Sequence, residues 1–273
     1  MKILQLSDTH LRGDGLLSFQ VADTVKAMND AMNYFSKMEQ QPDLYIVTGD
    51  LADNGNVAAY QKLREKLVQL PAPVYIVPGN HDDRLLFREI FPEMCPVKED
   101  IHPYICYTID DMPIRIIVVD TSIPHTHWGA LSEPVADWLD RRVQEYPDKP
   151  TLVFTHHPPF ITGMSMMDEG FENAERYARI LQKHNNLKLC CGHMHCNIST
   201  VWHGIPVITS PPISMVMELD LKPGGGDRFF LTDPGYLLHH YCDGRVNTHT
   251  CIIPTDIAYS GPHPFAYLDA DKK

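Results

Sequence analysis

Residues 44–55 are LYIVTGDLADNG, and residues 74–83 are VYIVPGNHDD. Each stretch begins with a short apolar run rich in Val and Ile, which is typical of a buried strand, and continues into polar residues beside Gly. Between the two runs, apolar residues at positions 60–70 recur every three or four positions, which predicts an amphipathic helix. A strand, a helix and a second strand predict a parallel pair in an α/β sheet.

The same alternation continues through the first two-thirds of the chain. Further strands are predicted at residues 3–6, 114–119, 152–154 and 187–191, and further helices at residues 21–38, 135–143 and 174–184. After about residue 197 the pattern changes to strands alone, predicted at residues 199–202, 206–209, 236–241 and 246–253. Residues 221–235 contain KPGGGD and predict a long flexible loop, and residues 254–273 predict an irregular tail.

We therefore expect one domain over residues 1–273, in which residues 213–273 form a β-rich and loop-containing extension. A lid over the functional site and a contact between subunits are the two roles that we consider for this extension. A plain surface loop is the alternative for residues 221–235.

Composition excludes several classes of protein. The 273 residues are 44% hydrophobic, which is typical of a folded chain. Their formal net charge of −12 is unsuited to binding nucleic-acid phosphates. The first ten residues become polar too early for a signal peptide, and no apolar run approaches the roughly 18 residues of a membrane span. The seven Cys lack zinc-finger spacing, so we expect reduced thiols and a cytoplasmic location.

Polar clusters follow five of the predicted strands. They are DTH at residues 8–10, GD at 49–50, GNHD at 79–82, HH at 156–157 and GHMH at 192–195. In open α/β sheets, ligands bind beyond the carboxyl ends of the strands, so the five clusters are predicted to converge on one site.

The residue types in these clusters are metal ligands. Carboxylate, amide and imidazole groups suit iron, manganese, zinc or cobalt rather than a thiolate-bound structural zinc. Asp8 and His10 are two residues apart, so on an extended chain both would point the same way, and His193 and His195 share that spacing. Seven candidate ligands exceed what one ion takes and suit two divalent ions with a shared carboxylate.

In this order the clusters D-x-H, G-D, G-N-H-D, H and G-H-x-H resemble the calcineurin-like metallophosphoesterase superfamily, over about residues 7–195. The resemblance implies an α/β fold in which two mixed β-sheets pack face to face as a sandwich flanked by helices. It also implies seven ligands for two metal ions. Asp50 bridges the ions, Asp8, His10 and His195 bind one of them, and Asn80, His156 and His193 bind the other.

The resemblance also implies roles in catalysis. His81 corresponds to the family's histidine that contacts the phosphate and protonates the leaving group. Asp50 and His81 are therefore the expected catalytic residues, and Asn80 and His81 the expected substrate-binding residues.

The motifs distinguish branches of the superfamily. Protein Ser/Thr phosphatases have an Arg where this chain has Asn54, and G-N-H-E where it has G-N-H-D. The motifs GDLADNG and GNHD are similar to those of the class III cyclic nucleotide phosphodiesterases and their glycerophosphodiesterase relatives. So are VDTS at residues 119–122, GAL at 129–131 and PGY at 234–236.

The expected enzyme is a metal-dependent phosphodiesterase. Two divalent ions, two carboxylates and one hydroxide leave a single positive charge, which a phosphodiester anion neutralises, and a metal-bridging hydroxide would attack it. A 3′,5′-cyclic nucleotide such as cyclic AMP is our first choice of substrate. A glycerophosphodiester or a broad range of small diesters is the alternative, and a non-catalytic scaffold is a third hypothesis. We expect no stable nucleic-acid or membrane partner and leave a homo-oligomer open.

Several histidines have two interpretations. His157 is interpreted as a residue that orients a ligand, with a substrate contact as the alternative. His125, His127 and Trp128 are equally compatible with a contact to the alcohol part of the ester and with a loop that covers the site. Six further histidines are expected to be ordinary surface or core residues: His102, His184, His239, His240, His249 and His263.

Overall fold

The computed structural model describes residues 1–98 and 101–265. Its helices are α1 (Thr24–Ser36), α2 (Val57–Leu67), α3 (Arg84–Ile90), α4 (Glu133–Glu145) and α5 (Ala174–Leu181). The strands of the first half are β1 (Lys2–Leu6), β2 (Leu44–Thr48), β3 (Val74–Val77), β4 (Tyr107–Ile109), β5 (Arg115–Val118), β6 (Gly129–Ala130) and β7 (Thr151–Phe154). Those of the second half are β8 (Phe171–Glu172), β9 (Leu187–Cys191), β10 (Ser199–Trp202), β11 (Ile205–Thr209), β12 (Val216–Met217), β13 (Arg228–Leu231), β14 (Gly235–Cys242), β15 (Arg245–Ile252) and β16 (Ser260–Pro264).

Two mixed sheets form the centre of the fold. The first has the strand order β15-β14-β1-β2-β3, in which β1, β2 and β3 are parallel and β14 and β15 antiparallel. The second has the order β10-β11-β9-β7-β5-β4, with four parallel strands between two antiparallel edge strands. All five strands that precede a polar cluster are parallel members of one sheet or the other.

The side chains of β5 show how the layers are arranged. Ile116 and Val118 belong to a core shared with Ile3 of the first sheet, so the two sheets pack face to face. Ile117 belongs to a second core with Trp138 of α4 and faces the other way. Helix α1 covers the outer face of the first sheet, where Phe35 is fully buried. The expected sandwich flanked by helices is confirmed.

The predicted helices are present within a few residues of their expected bounds, and α3 is an addition. This helix has only seven residues, which is too short for an apolar period to be recognised. It begins directly after the third polar cluster, where the Asp83 carboxylate accepts hydrogen bonds from the N–H groups of Leu85 and Leu86.

The C-terminal part contains two strands that were predicted as irregular chain. The expected loop at residues 221–235 includes β13, and the expected tail at residues 254–273 includes β16; both pair in a small sheet of order β12-β13-β16. The prediction was wrong because the flanking Gly and Pro residues hide a short strand whose Phe229 is fully buried. Residues 266–273 of the tail lie outside the described residues.

After residue 197 the described chain forms strands without helices, as expected. None of the helices within residues 1–98 and 101–265 combines the length and the apolar character needed to cross a bilayer.

Candidate metal centre

Backbone hydrogen bonds bring the five polar clusters together. The segments that follow β1 and β2 run side by side, with the N–H of His10 donating to the carbonyl of Asp50 at 2.9 Å. The N–H of Gly192 donates to the carbonyl of His156 at 2.9 Å, which joins the segments that follow β7 and β9. Parallel pairing within each sheet and face-to-face packing between the sheets therefore place all the clusters at one edge, as predicted.

Five of the seven expected ligands have a left-handed backbone. The φ angles are 52° at Asp8, 42° at His10, 49° at Asp50, 69° at His193 and 50° at His195. The expectation that the pairs 8/10 and 193/195 converge through extended chain was therefore wrong. Non-Gly residues in this region are strained, and such strain is concentrated at functional sites.

Four of the expected ligands form one group of buried side chains, Asp8, His10, Asp50 and His195. The Nε2 atoms of His10 and His195 are 3.0 Å apart. His10 Nε2 lies 3.6 Å from an Asp50 oxygen, and His195 Nε2 lies 3.6 Å from an Asp8 oxygen. The geometry thus brings together the residues expected for the first ion.

The other expected ligands surround the amide oxygen of Asn80. That oxygen lies 3.1 Å from His156 Nε2 and 3.1 Å from His193 Nδ1. His156 Nε2 is also 3.2 Å from the Asp50 oxygen that faces His10. Asp50 therefore lies between the two groups, where a bridging ligand is expected.

The hydrogen bonds around the site show that a cation fits it. Since a carbonyl oxygen only accepts, His156 Nδ1–H donates to Thr48 and His195 Nδ1–H donates to Met215. In the neutral ring each Nε2 then carries a lone pair, and at His156 this lone pair faces oxygens of Asp50 and Asn80. Lone pairs facing one another in a buried site need a positive charge between them, and these donor types are those of divalent transition metals.

The pKa values agree with this view. Burial would lower the pKa of His156, but the Asp50 and Asp8 carboxylates and the Thr48 carbonyl together outweigh burial and raise it to about 9. Burial lowers the pKa of His195 to about 4, so this ring is neutral at neutral pH. Neutral imidazole is the form that binds metals, and at His156 a bound cation would replace a proton.

Asp53 lies beside the centre and was not singled out by the sequence analysis. Its carboxylate is buried, with one oxygen 3.4 Å from His10 Nδ1 and the other 3.2 Å from Arg12. A carboxylate behind a metal-binding histidine fixes the orientation of the ring and raises its basicity. The signal was available, because Asp53 is the second acidic residue of GDLADNG.

Glycines allow two of the clusters to approach closely. A Cβ on Gly49 would lie 2.2 Å from His156 Nδ1, and the residue has a φ of +84°. A Cβ on Gly79 would lie 2.2 Å from an Asp50 oxygen. Any larger residue at either position would displace an expected ligand.

The other histidines take different positions around the centre. His81 lies beside it: the N–H of His81 donates to Asp50, and its Nδ1 donates to the Asp53 carbonyl at 2.8 Å. His127 lies near His81, with ring centroids 5.9 Å apart. Trp128 bonds Glu172 through its indole N–H, which favours the covering-loop interpretation for this residue. His239 is a fully buried core residue, as expected, between Gln5 and Thr248.

A cavity of about 50 Å³, here called the centre cavity, lies over the site. It is lined by His10, Asp50, Asn80, His81, His193 and His195, and, from outside the polar clusters, by His127, Glu169 and the apolar Met166, Met167 and Phe265. The sequence carries no local signal for these three apolar residues, since their proximity depends on how the later loops pack.

The expected resemblance is confirmed by comparison with known proteins. The sequence profile described as "Calcineurin-like phosphoesterase" matches residues 1–197. This chain belongs to that family. The match ends just after the last polar cluster, so it includes every expected ligand.

Two relatives are similar over most of their length. The chain is 35% identical to the "Probable glycerophosphodiester phosphodiesterase GpdQ" of Arcobacter nitrofigilis, over 97% of both chains. It is 31% identical to the "3′,5′-cyclic adenosine monophosphate phosphodiesterase CpdA" of Escherichia coli K12, over 77% of this chain and 75% of the other. The names share one enzyme class, the expected phosphodiesterase, and give two different substrates.

A solved structure shows the same fold at low sequence identity. Purple acid phosphatase PPD1 from yellow lupin seeds matches with a TM-score of 0.58 and 13% identity, over 92% of this chain and 53% of the other.

We predict that Asp53→Asn weakens metal binding by about 10–100-fold, because the ring of His10 loses the carboxylate that orients it. Titration of the metal-free protein with Mn²⁺ in a calorimeter measures this affinity. Asp14→Asn is the matched control, since Asp14 is also paired with Arg12 but its side chain is 48% exposed. Unchanged Mn²⁺ affinity in Asp53→Asn would contradict the role.

Proposed function

We propose that this protein hydrolyses small phosphodiesters with two divalent metal ions bound on either side of Asp50. Asp8, His10 and His195 would hold one ion, and Asn80, His156 and His193 the other. The observation that supports this most strongly is the position of Asp50, which faces both His10 and His156 with one oxygen. Iron, manganese, zinc and cobalt all suit these donors.

The residues around the ions would attract the substrate and donate a proton to the leaving group. When bound, divalent ions activate water as a nucleophile and neutralise charge on the phosphoryl oxygens. Asn80 contributes a neutral oxygen, so the site keeps the positive charge that attracts a phosphodiester anion. His81 is held by Asp50 and Asp53 at the edge of the centre, from where it would protonate the departing alcohol oxygen.

We propose an open diester of the glycerophosphodiester kind as the substrate. The GpdQ relative is 35% identical to this chain, compared with 31% for the CpdA relative. A 3′,5′-cyclic nucleotide is the second candidate, supported by the CpdA relative and by a cavity of about 530 Å³ beside His81. The −12 charge supports neither DNA nor RNA as a partner.

The extension at residues 213–273 is proposed to act as a lid within the one domain. Phe265, which follows β16, lines the centre cavity and stacks on Phe19 at 4.7 Å. A lid in this position would restrict access to the centre cavity to small esters. A cytoplasmic location is also proposed, because a reducing compartment keeps the seven unpaired cysteines as thiols.

The proposal is tested with a panel of substrates on metal-free and Mn²⁺-loaded protein. The panel contains glycerophosphoethanolamine, cyclic AMP, cyclic GMP, and bis- and mono-p-nitrophenyl phosphate. We expect metal-dependent turnover of diesters in preference to the monoester. A preference for the monoester, or turnover without metal, would contradict the proposal.

In Asp50→Asn, we expect loss of most bound metal and a rate lower by several orders of magnitude, because one carboxylate faces both sites. Metal content by mass spectrometry and steady-state rates measure the two effects. Asp256→Asn is the control, since its side chain is 84% exposed. Two metals per chain with near-normal turnover in Asp50→Asn would show that Asp50 does not bridge.

His81→Ala should keep its metals and lose activity in proportion to how basic the leaving group is. We expect natural diesters to slow by roughly 10²–10⁴-fold, the usual contribution of a general acid, and p-nitrophenyl esters far less, because p-nitrophenolate leaves without a proton. Rates on the two classes of ester and metal content are measured together. Equal losses on both classes would exclude the acid role.

A further inference from the structure

Two cavities border the centre cavity through different residues. The first, called the His81 cavity, has a volume of about 530 Å³ and shares Asn80 and His81 with the centre cavity. The second, called the His157 cavity, has a volume of about 220 Å³ and shares Met167 and His193 with it. Both cavities therefore lie next to the centre, each bordering it through a different pair of residues.

His157 offers the His157 cavity an unused polar atom. Its side chain lines the cavity but is only 1% exposed. Nδ1 lies 2.9 Å from the Thr121 hydroxyl, whereas Nε2 is buried and has no hydrogen-bond partner among the described residues. Buried polar atoms are nearly always paired, so Nε2 is a candidate partner for a ligand hydroxyl; because the atom itself is closed to solvent, a small movement of the ring would bring it to the cavity.

The remaining walls indicate what that ligand contains. They are largely apolar, formed by Pro158, Pro159, Phe160, Phe171 and Ala174. The Asp168 carboxylate also lines the cavity, but it already accepts hydrogen bonds from the N–H and the hydroxyl of Thr162 and from the N–H of Gly163. Among the described lining residues there is no Lys or Arg. The cavity therefore suits a short aliphatic chain with one hydroxyl group.

The His81 cavity suits the other substituent. It is the larger of the two, and His81, the proposed acid, lies in its wall. Arg84 carries the one guanidinium group among the described lining residues of this cavity. That group is already bound to Asp120 at 2.7 Å and to the Ser122 carbonyl. The alcohol that leaves with the proton of His81 would thus occupy this cavity.

We propose that the His157 cavity is a subsite for the alcohol that stays on phosphorus when an open phosphodiester is hydrolysed. This inference rests on the proposed function. The oxygen of water forms a new bond to phosphorus, the bond from phosphorus to the alcohol in the His81 cavity breaks, and His81 gives that alcohol its proton. One hydrogen of the water stays on the phosphate and the other restores the proton of His81. The products are the free alcohol and a phosphomonoester whose alcohol part remains in the His157 cavity.

The subsite distinguishes the two candidate substrates. A 3′,5′-cyclic nucleotide carries both ester oxygens on one ribose, so it has no separate second alcohol to place beside His157. An open diester has two alcohols and fills both cavities.

The test uses three p-nitrophenyl phosphodiesters whose second alcohol is methyl, n-propyl or 3-hydroxypropyl, with Mn²⁺-loaded protein. The p-nitrophenyl group leaves, so the second alcohol alone samples the subsite. Ala174→Leu narrows the cavity at the start of α5. It should raise KM about tenfold for the n-propyl and 3-hydroxypropyl esters and leave the methyl ester unchanged. Glu175→Leu, one residue along on an exposed position, is the control.

His157→Phe keeps a ring of similar shape without its nitrogens. It should raise KM for the 3-hydroxypropyl ester by about 2–10-fold and leave the n-propyl ester and the metal content unchanged. Equal KM changes for all three esters in both variants, or loss of metal from His157→Phe, would overturn the subsite. If the wild-type protein does not hydrolyse even the methyl ester, the proposed function itself fails.

Discussion

The Asp50 carboxylate, buried between imidazoles of two separate groups, is the constraint on which the rest of the site depends. One of its oxygens lies 3.2 Å from His156 and 3.6 Å from His10, and the hydrogen bond from His156 to Thr48 directs Nε2 of His156 at it, with a proton in the charged ring and a lone pair in the neutral one. Groups that only accept hydrogen bonds are stable at such distances in a dry interior when positive charge lies between them. The need for that charge makes this edge of the sandwich a site for cations.

The fold provides this arrangement by combining parallel strands with a strained edge. Parallel pairing carries Asp8 and Asp50 to the same end of the first sheet, and the second sheet carries His156 and His193 to the same place. Left-handed backbone at most of the ligands then turns their side chains inward, at a cost of about 1–3 kcal/mol for each such residue. A fully buried core between the two sheets stabilises the fold against this cost.

Sequence alone predicted what is local and periodic. The strands, the longer helices and the polar clusters at strand ends each have a signal within a few residues, and the order of the clusters indicated the family. Several short strands lacked such a signal, as did three features near the site or its cover: α3 has only seven residues, β13 lies among glycines, and Phe265 reaches the centre through long-range packing. The contact between Asp53 and His10 could be predicted only in part. Asp53 was visible in the motif GDLADNG, but the fold decides that it lies beside His10.

Anomalous X-ray scattering from crystals of the Mn²⁺-loaded protein tests the central claim most directly. The account predicts two strong peaks that share Asp50, one among Asp8, His10 and His195 and the other among Asn80, His156 and His193. A single peak, or two peaks that do not share Asp50, would contradict it.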